Sequence, residues 1–116
     1  MIFVSIEDFY EKAHACTRLT RQEEIDCAVK MQNGDPDARE KLIRSYLPMV
    51  AGHIRRARPH MQTLAHALYC VQALEKAVDS FHFLQESETF THHLSWWLRE
   101  ASTKFIVRLH ASGAGH

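Results

Sequence analysis

The sequence predicts an all-α protein, folded as a compact bundle of about five helices. Apolar residues recur at the three- and four-residue spacing of amphipathic helices, and no segment alternates as a strand does. The 116 residues include only three prolines and four glycines. Hydrophobic residues make up 46% of the chain, which suits one domain with a modest core.

The first two helices are marked by residues that cap helix ends. The first helix is predicted within residues 1–18, with Ser5 as its N-cap. Asp8 follows three positions later, which is a weak form of the capping box. Thr20 and Glu23 form a clearer capping box for the second helix, and Gly34 closes it. The buried face of the second helix is expected to carry Ile25, Ala28 and Val29.

The third predicted helix follows at once. Asp35 is its N-cap, and Pro36 occupies the first helical position, where a missing N–H costs nothing. The apolar spacing continues unchanged past Pro48, so we expect that proline to kink the helix rather than end it. Pro59 ends the helix. The last turn carries three cations, Arg55, Arg56 and Arg58. We interpret them as a solvated turn that favours the helix dipole, with phosphate binding as the alternative.

Two longer helices complete the prediction. The apolar stripe of the fourth helix carries Leu64, Leu68, Val71, Leu74, Val78 and Phe81. The stripe of the fifth, from about Thr89 to Leu109, carries Phe90, Leu94, Trp97, Ala101 and Phe105. Adjacent helix residues point about 100° apart, so one core cannot hold two neighbouring indoles. We therefore expect Trp97 to be largely buried and Trp96 to lie near the surface. Residues 111–116 are expected to be a disordered tail.

Composition excludes several classes of protein. Fourteen basic and 14 acidic residues balance, so any binding to nucleic acid must come from a local patch. The three cysteines form no CxxC pair, which argues for a reducing, cytoplasmic setting. The N-terminus lacks a basic stretch, so no signal peptide is predicted. No segment reaches the roughly 18 apolar residues of a membrane span, and no membrane partner is expected.

Metal and catalytic sites are not predicted. His66 and Cys70 stand four residues apart on one helix and could start a zinc site, but no second pair has suitable spacing. The adjacent His92 and His93 are therefore expected to be ordinary core or surface residues. Three hydroxyl residues near His92 and Glu100 lack the turn that a nucleophile needs: Ser95, Ser102 and Thr103. We expect no enzyme activity and no cofactor.

Three segments together resemble bacterial RNA polymerase sigma factors of the housekeeping class. They are "LTRQEEIDCAVKMQNGDPDAREKLIRSYLPMV", "ALEKAVDSF" and "FTHHLSWWLREASTKFI". The second resembles the family's Gly-Leu-x-x-Ala-Val-x-x-Phe element, and the third resembles its Trp-Trp-Ile-Arg element. The resemblance covers roughly residues 19–108. It implies a domain like sigma domain 2 over residues 19–110, with an N-terminal helix before it and the tail behind it.

In that family, domain 2 docks on the β′ clamp helices of the polymerase core and captures the melted −10 strand of promoter DNA. Aromatic rings receive unstacked bases, each stack being worth about 1–3 kcal/mol, and nearby cations hold phosphates. The resemblance implies a DNA-binding set of Phe90, His93, Trp96, Trp97, Arg99, Glu100, Thr103, Lys104 and Arg108. It implies a polymerase-binding or partner-binding set of Leu68, Tyr69, Gln72, Glu75 and Lys76.

The sequence departs from the family pattern at the residues that contact the β′ clamp helices in the family. Leu68 and Tyr69 replace a Gln-Glu pair, and Cys70 replaces a glycine, so a polar surface has become apolar. Glu88 and Thr89 stand where the family tends to have an aromatic residue and a lysine. The alternative is therefore a sigma mimic that does not open DNA and that binds an anti-sigma factor or regulates polymerase by protein contact. A homodimer through residues 64–74 is a third prediction.

Overall fold

The computed structural model describes residues 1–84 and 89–113, and the all-α class is confirmed. A short 3₁₀ turn, Pro59–Met61, joins two of the helices. No strand occurs in the described ranges. The α-helices in those ranges are α1 (Ile6–His14), α2 (Arg21–Gln32), α3 (Pro36–Ser45), α4 (Leu47–Arg55), α5 (Leu64–Ser80) and α6 (Phe90–Gly113).

The predicted caps of α1 to α3 are present, with one difference. The Thr20 hydroxyl accepts from the backbone N–H of Glu23, and the Glu23 carboxylate accepts from that of Thr20. Ser5 caps α1 as expected. The weak capping box at this end is wrong, because the Asp8 carboxylate accepts from the N–H of Val4 and not from Ser5. These local bonds fix the starts of helices that are too short to be stable alone.

The predicted third helix is two helices. The chain leaves helical geometry at Tyr46, with φ −106° and ψ 0°, and the N–H of Tyr46 donates to Ile43 in a tighter turn. Pro48 has no N–H to donate to the carbonyl of Arg44, and its ring crowds that carbonyl. The prediction of a kink was therefore wrong. The apolar spacing persists because the break occupies a single residue.

The long helix α5 lies at the centre of the bundle. It packs along α6 and also contacts α1, α3 and α4. The largest fully buried side chains come from every helix except α2, and they include Phe9, Leu42, Leu47, Ile54, Leu74, Leu94 and Leu98. Because α6 packs against α5, one side of α6 belongs to this core as far as Phe105, and the other side faces outward.

The predicted apolar faces of α2 and α5 are rotated from their expected positions, whereas on α6 only Trp97 departs from the predicted stripe. Val29 is 43% exposed and Leu68 is 39% exposed, so neither belongs to the core. Leu98 takes the buried position expected for Trp97, which is half-buried. On α5 the buried stripe carries His66, Ala67, Cys70, Ala73, Leu74, Ala77 and Val78. The prediction followed the large side chains, whereas small residues at the helix contacts decide which side of α5 faces its neighbours.

Helix α6 runs further than expected. It continues through Gly113 and so includes the first three residues of the predicted tail, whose remainder lies outside the described residues. The polar connection before α6, with Glu88, also lies outside them. Among the helices that the structure describes, none combines the length and apolar character that crossing a membrane requires.

Candidate nucleic-acid interface

Trp96 lies on the outward face of α6, with its side chain 51% exposed. The helix turns Leu94, Leu98 and Ala101 into the core, and a residue two positions from either leucine must point away from it. The Trp97 ring meets the Trp96 ring edge-on, with centroids 5.4 Å apart and planes at 89°. Trp96 is therefore accessible from solvent, and its contact with the Trp97 ring favours this orientation of its indole.

His93 supports Trp97 from one turn earlier on α6. The indole Nε1–H of Trp97 donates to Nε2 of His93 over 3.1 Å. Because Nε2 accepts this bond, the neutral His93 ring carries its proton on Nδ1. The ring of Phe81 lies 5.0 Å from that of His93, between centroids. The structure thus gives His93 a positioning role behind the two indoles, and its contact with DNA stays a prediction.

Phe90 does not form part of an accessible aromatic surface. Its side chain is only 4% exposed. Its ring stacks on Phe83 at 5.0 Å and meets Tyr46 at 4.6 Å, between centroids. This packing does not favour base binding by Phe90, which stays a prediction. The first residue of α6 closes the aromatic end of the core, and a base could reach it only if that packing opened.

Cations follow Trp96 along α6. Arg99, Lys104 and Arg108 are exposed, and none forms an ion pair within the described residues. Thr103, also exposed, donates its hydroxyl to the carbonyl of Arg99 over 3.0 Å. Glu100 is half-buried and introduces one negative charge among them. The cations are therefore available to phosphate, and they are local in a chain with no net charge.

The predicted DNA-binding and partner-binding sets meet at one groove. A depression of about 110 Å³ separates α5 from α6 on the outer surface. Its lining comprises Tyr69, Gln72, Ala73, Lys76, Trp97, Glu100, Ala101 and Lys104. Leu68 and Glu75 lie outside it. The helical spacing alone did not predict this junction, because it depends on how α5 and α6 are rotated against each other.

Arg18 is a cation near the start of α6 that the sequence pattern did not predict. Its guanidinium lies over the Tyr46 ring, 5.2 Å from the centroid, and donates to the Thr91 hydroxyl on the first turn of α6 over 3.3 Å. The contact joins residues 73 positions apart, so no local pattern could have indicated it. Arg18 places positive charge beside the start of α6.

Comparison with known proteins supports the sequence resemblance. No protein-family model matches the chain. The chain is 32% identical, over 93 residues, to RNA polymerase sigma factor SigA of Clostridium acetobutylicum. This similarity covers 77% of the chain but only 24% of that relative, so the chain spans about a quarter of its length. Most of this chain is therefore similar to one region of a housekeeping sigma factor.

Proposed function

We propose that this sigma-factor-like chain acts in transcription initiation. It binds the RNA polymerase core through α5 and a melted −10 promoter strand through the outward face of α6. The observation that carries the proposal is the exposed Trp96 ring, held edge-on by Trp97. An exposed indole that is already restrained loses little freedom when a base stacks on it. Such a stack contributes about 1–3 kcal/mol and tolerates any base, since every base has a flat face.

The exposed cations of α6 support the same proposal. The chain has no net charge, so attraction to DNA has to come from a local patch. Arg99 follows Trp96 by about one turn, and Lys104 and Arg108 follow at two and three turns. Positive groups at those distances suit the phosphates that flank a stacked base. Binding should therefore weaken as salt concentration rises.

The surface of α5 is the proposed contact for polymerase. Leu68 is 39% exposed and Gln72 and Lys76 are exposed, whereas Tyr69 and Glu75 are half-buried. The groove places Tyr69, Gln72 and Lys76 next to Trp97 and Lys104. Contact with the β′ clamp helices through α5 would then bring polymerase close to a strand held by α6.

Direct binding to single-stranded DNA tests the proposal. Fluorescence anisotropy of a labelled −10 non-template oligonucleotide would be titrated with the wild-type chain, with Trp96→Ala, and with Val29→Ala. Val29 is a matched control, because it is an exposed apolar residue on α2, away from α6. We expect Trp96→Ala to raise the Kd about 5- to 150-fold, the equivalent of one lost stack, and Val29→Ala to leave it unchanged.

Two results would overturn this proposal. One is a wild-type chain that does not bind the oligonucleotide at low salt. The other is equal binding by the wild-type chain and Trp96→Ala. Circular dichroism of both variants excludes unfolding as the cause of any loss, since neither residue belongs to the buried core.

A second candidate function is a sigma mimic that contacts proteins without opening DNA. The exposed Leu68 on α5 favours it, because an apolar side chain there suits a protein partner better than a phosphate backbone. Affinity purification from bacterial extract separates the two. Recovery of the β′ subunit supports the first function, and recovery of a small anti-sigma protein without polymerase supports the second. Sedimentation of wild type and Leu68→Glu tests a homodimer through residues 64–74.

A further inference from the structure

A cluster of side chains that can ligate metal ions lies on another side of α6, between α4 and α5. His53 comes from α4, and His66 and Cys70 come from α5. One ligand atom from each lies within 4.8 Å of the other two. The spacing of His66 and Cys70 is visible in the sequence, but the third member is 13 residues earlier and reaches the pair only through the packing of α4 on α5.

The hydrogen bonds of this cluster fix which ring nitrogen of His66 could bind a metal. Nδ1 of His66 lies 2.8 Å from the backbone carbonyl of Met61 and must donate to it, because a carbonyl can only accept. In the neutral ring Nε2 is then unprotonated and accepts from the Ser102 hydroxyl over 2.7 Å. A backbone carbonyl behind one nitrogen is the arrangement that orients metal-bound histidines in proteins.

Ser102 of α6 completes the cluster. Its oxygen lies 2.8 Å from Nε2 of His53, as well as 2.7 Å from Nε2 of His66. Since its proton goes to His66, the oxygen accepts from His53. Both histidine side chains therefore direct Nε2 toward the same small region, where an oxygen atom is already accommodated. That region is where the two imidazoles could share an ion.

An ion could bind here only if two protons move: the Cys70 thiol must lose its proton, and the His53 proton must shift from Nε2 to Nδ1. Burial lowers the pKa of His66 and, together with the neighbouring His66 and Arg56, that of His53, so both rings are neutral near pH 7. Burial raises the pKa of the Cys70 thiol to about 12, against a smaller lowering by Ser102. A bound cation would reverse this and release the thiol proton, as metal binding does at other cysteines.

A pocket of about 430 Å³ is lined by His53, His66 and Ser102, whereas Cys70 is fully buried and does not line it. Among the described residues, no carboxylate lines it, so a hydrolytic serine arrangement has no acid to orient its histidine. Two further histidines, His60 and His110, line the same pocket. Arg56 and Arg58 also line it and repel cations, so the negative charge of a Cys70 thiolate is needed to hold one.

We propose that His53, His66 and Cys70 form a binding site for Zn²⁺ or a similar borderline transition metal. Two imidazoles and one thiolate are the ligands this ion prefers, and three protein ligands leave a fourth position open. Tetrahedral zinc would bring these atoms to roughly 3.3–3.6 Å of one another. His53 is half-buried and has more room to adjust than His66 and Cys70, which are 1% and 0% exposed. Ser102, which also lines the pocket, lies beside both Nε2 atoms.

Titration of the full chain with Co²⁺ tests this site. Cobalt replaces zinc in such sites, and a thiolate ligand adds a charge-transfer absorption band to its spectrum. With the protein kept reduced, we expect the band to saturate at one ion per chain and to disappear when Zn²⁺ is added. Cys70→Ala should abolish the band. Cys27→Ala is the matched control, because Cys27 is also buried but lies on α2.

A second pair of variants keeps the test decisive should Cys70→Ala not fold. His53→Ala removes the half-buried ligand, and His14→Ala removes an exposed histidine of α1. We expect His53→Ala to weaken Zn²⁺ binding at least tenfold, and His14→Ala to leave it unchanged. The site is excluded if the wild-type chain gives no cobalt spectrum at micromolar ion, or if His53→Ala and Cys70→Ala bind as tightly as wild type. DNA plays no part in this test, so its outcome is independent of the proposed function.

Discussion

At the scale of residues, Phe90 and Trp96 show how two rings on one helix differ in role. Helical spacing predicted Phe90 on the buried stripe and Trp96 off it, and both positions are confirmed. The base-binding role of Phe90 came from the family resemblance alone, and it stays a prediction that the observed burial does not favour. Helical spacing predicts which side chains are buried. A family resemblance gives no information on local packing, and here Phe83 and Tyr46 pack against the Phe90 ring.

The buried pair of Glu24 and Tyr46 gives a prediction at this scale. The Tyr46 hydroxyl donates to Oε2 of Glu24 over 2.7 Å, and burial together with this carboxylate raises the pKa of the tyrosine, so it stays protonated. Tyr46→Phe leaves the carboxylate without this donor and should lower the free energy of unfolding by about 1–3 kcal/mol. Urea denaturation measures the loss.

Tyr69→Phe is the control for that experiment, because the Tyr69 hydroxyl makes no hydrogen bond within the described residues. It should change stability by less than about 0.5 kcal/mol. Equal effects of the two substitutions would show that the Glu24–Tyr46 bond does not stabilise the fold. The sequence did not predict this bond, since Glu24 was not expected to be buried and its partner lies 22 residues away.

At the scale of elements, the caps were the most predictable features and the division of α3 from α4 the least. A cap depends on a few neighbouring residues, such as Thr20 and Glu23, and can be identified from their types. Whether Pro48 kinks a helix or ends it depends on whether packing favours a break, and a persistent apolar spacing is compatible with both. Leu47 and Ile54 are buried, as both a kinked helix and two separate helices would require.

Gly34 provides a test of the turn between α2 and α3. Its φ of 86° lies in the left-handed region, although a Cβ there would meet no atom within 4 Å. Gly34→Ala should therefore destabilise the chain by about 1–2 kcal/mol through backbone strain alone. Gly34→Asn should cost less, since asparagine tolerates this conformation. Thermal unfolding of both variants measures the difference, and an alanine variant as stable as wild type would show that the turn adopts another conformation.

The ion pair between α3 and α5 gives a pH-dependent prediction. Arg39 donates to Asp79 through two bonds of 2.7 and 2.8 Å, and these lower the pKa of the Asp79 carboxyl. Since the folded pKa lies below the unfolded value of about 3.9, the pair stabilises above that value and its contribution is lost as pH falls through the folded pKa. Arg39→Ala should cost up to about 1 kcal/mol at pH 7, because the pair is solvent-exposed.

Thermal unfolding as a function of pH checks this prediction. The difference in Tm between wild type and Arg39→Ala should shrink as pH falls from 5 toward 2. Arg21→Ala removes an exposed arginine that has no ion pair within the described residues, and it should show no such trend. A difference that is constant with pH would mean that Arg39 acts through packing and not through Asp79.

At the scale of the whole molecule, the sequence predicted the fold class and the outward direction of α6 but not what the helices bring together. The groove between α5 and α6 and the cluster of His53, His66 and Cys70 both depend on how helices rotate and dock. Those rotations follow from small residues at helix contacts, which carry little signal in a hydrophobic pattern. The two sites lie on different sides of α6, so each can be tested without the other.

The most direct test of the central claim combines the chain, core polymerase and a labelled −10 non-template oligonucleotide on one gel-filtration column. We expect the oligonucleotide to elute with polymerase only when the wild-type chain is present. Trp96→Ala should still elute with polymerase but should no longer retain the oligonucleotide, because its indole lies on α6 and the proposed polymerase contact on α5. The proposed function is contradicted if the wild-type chain elutes apart from polymerase, or if Trp96→Ala retains as much oligonucleotide as wild type.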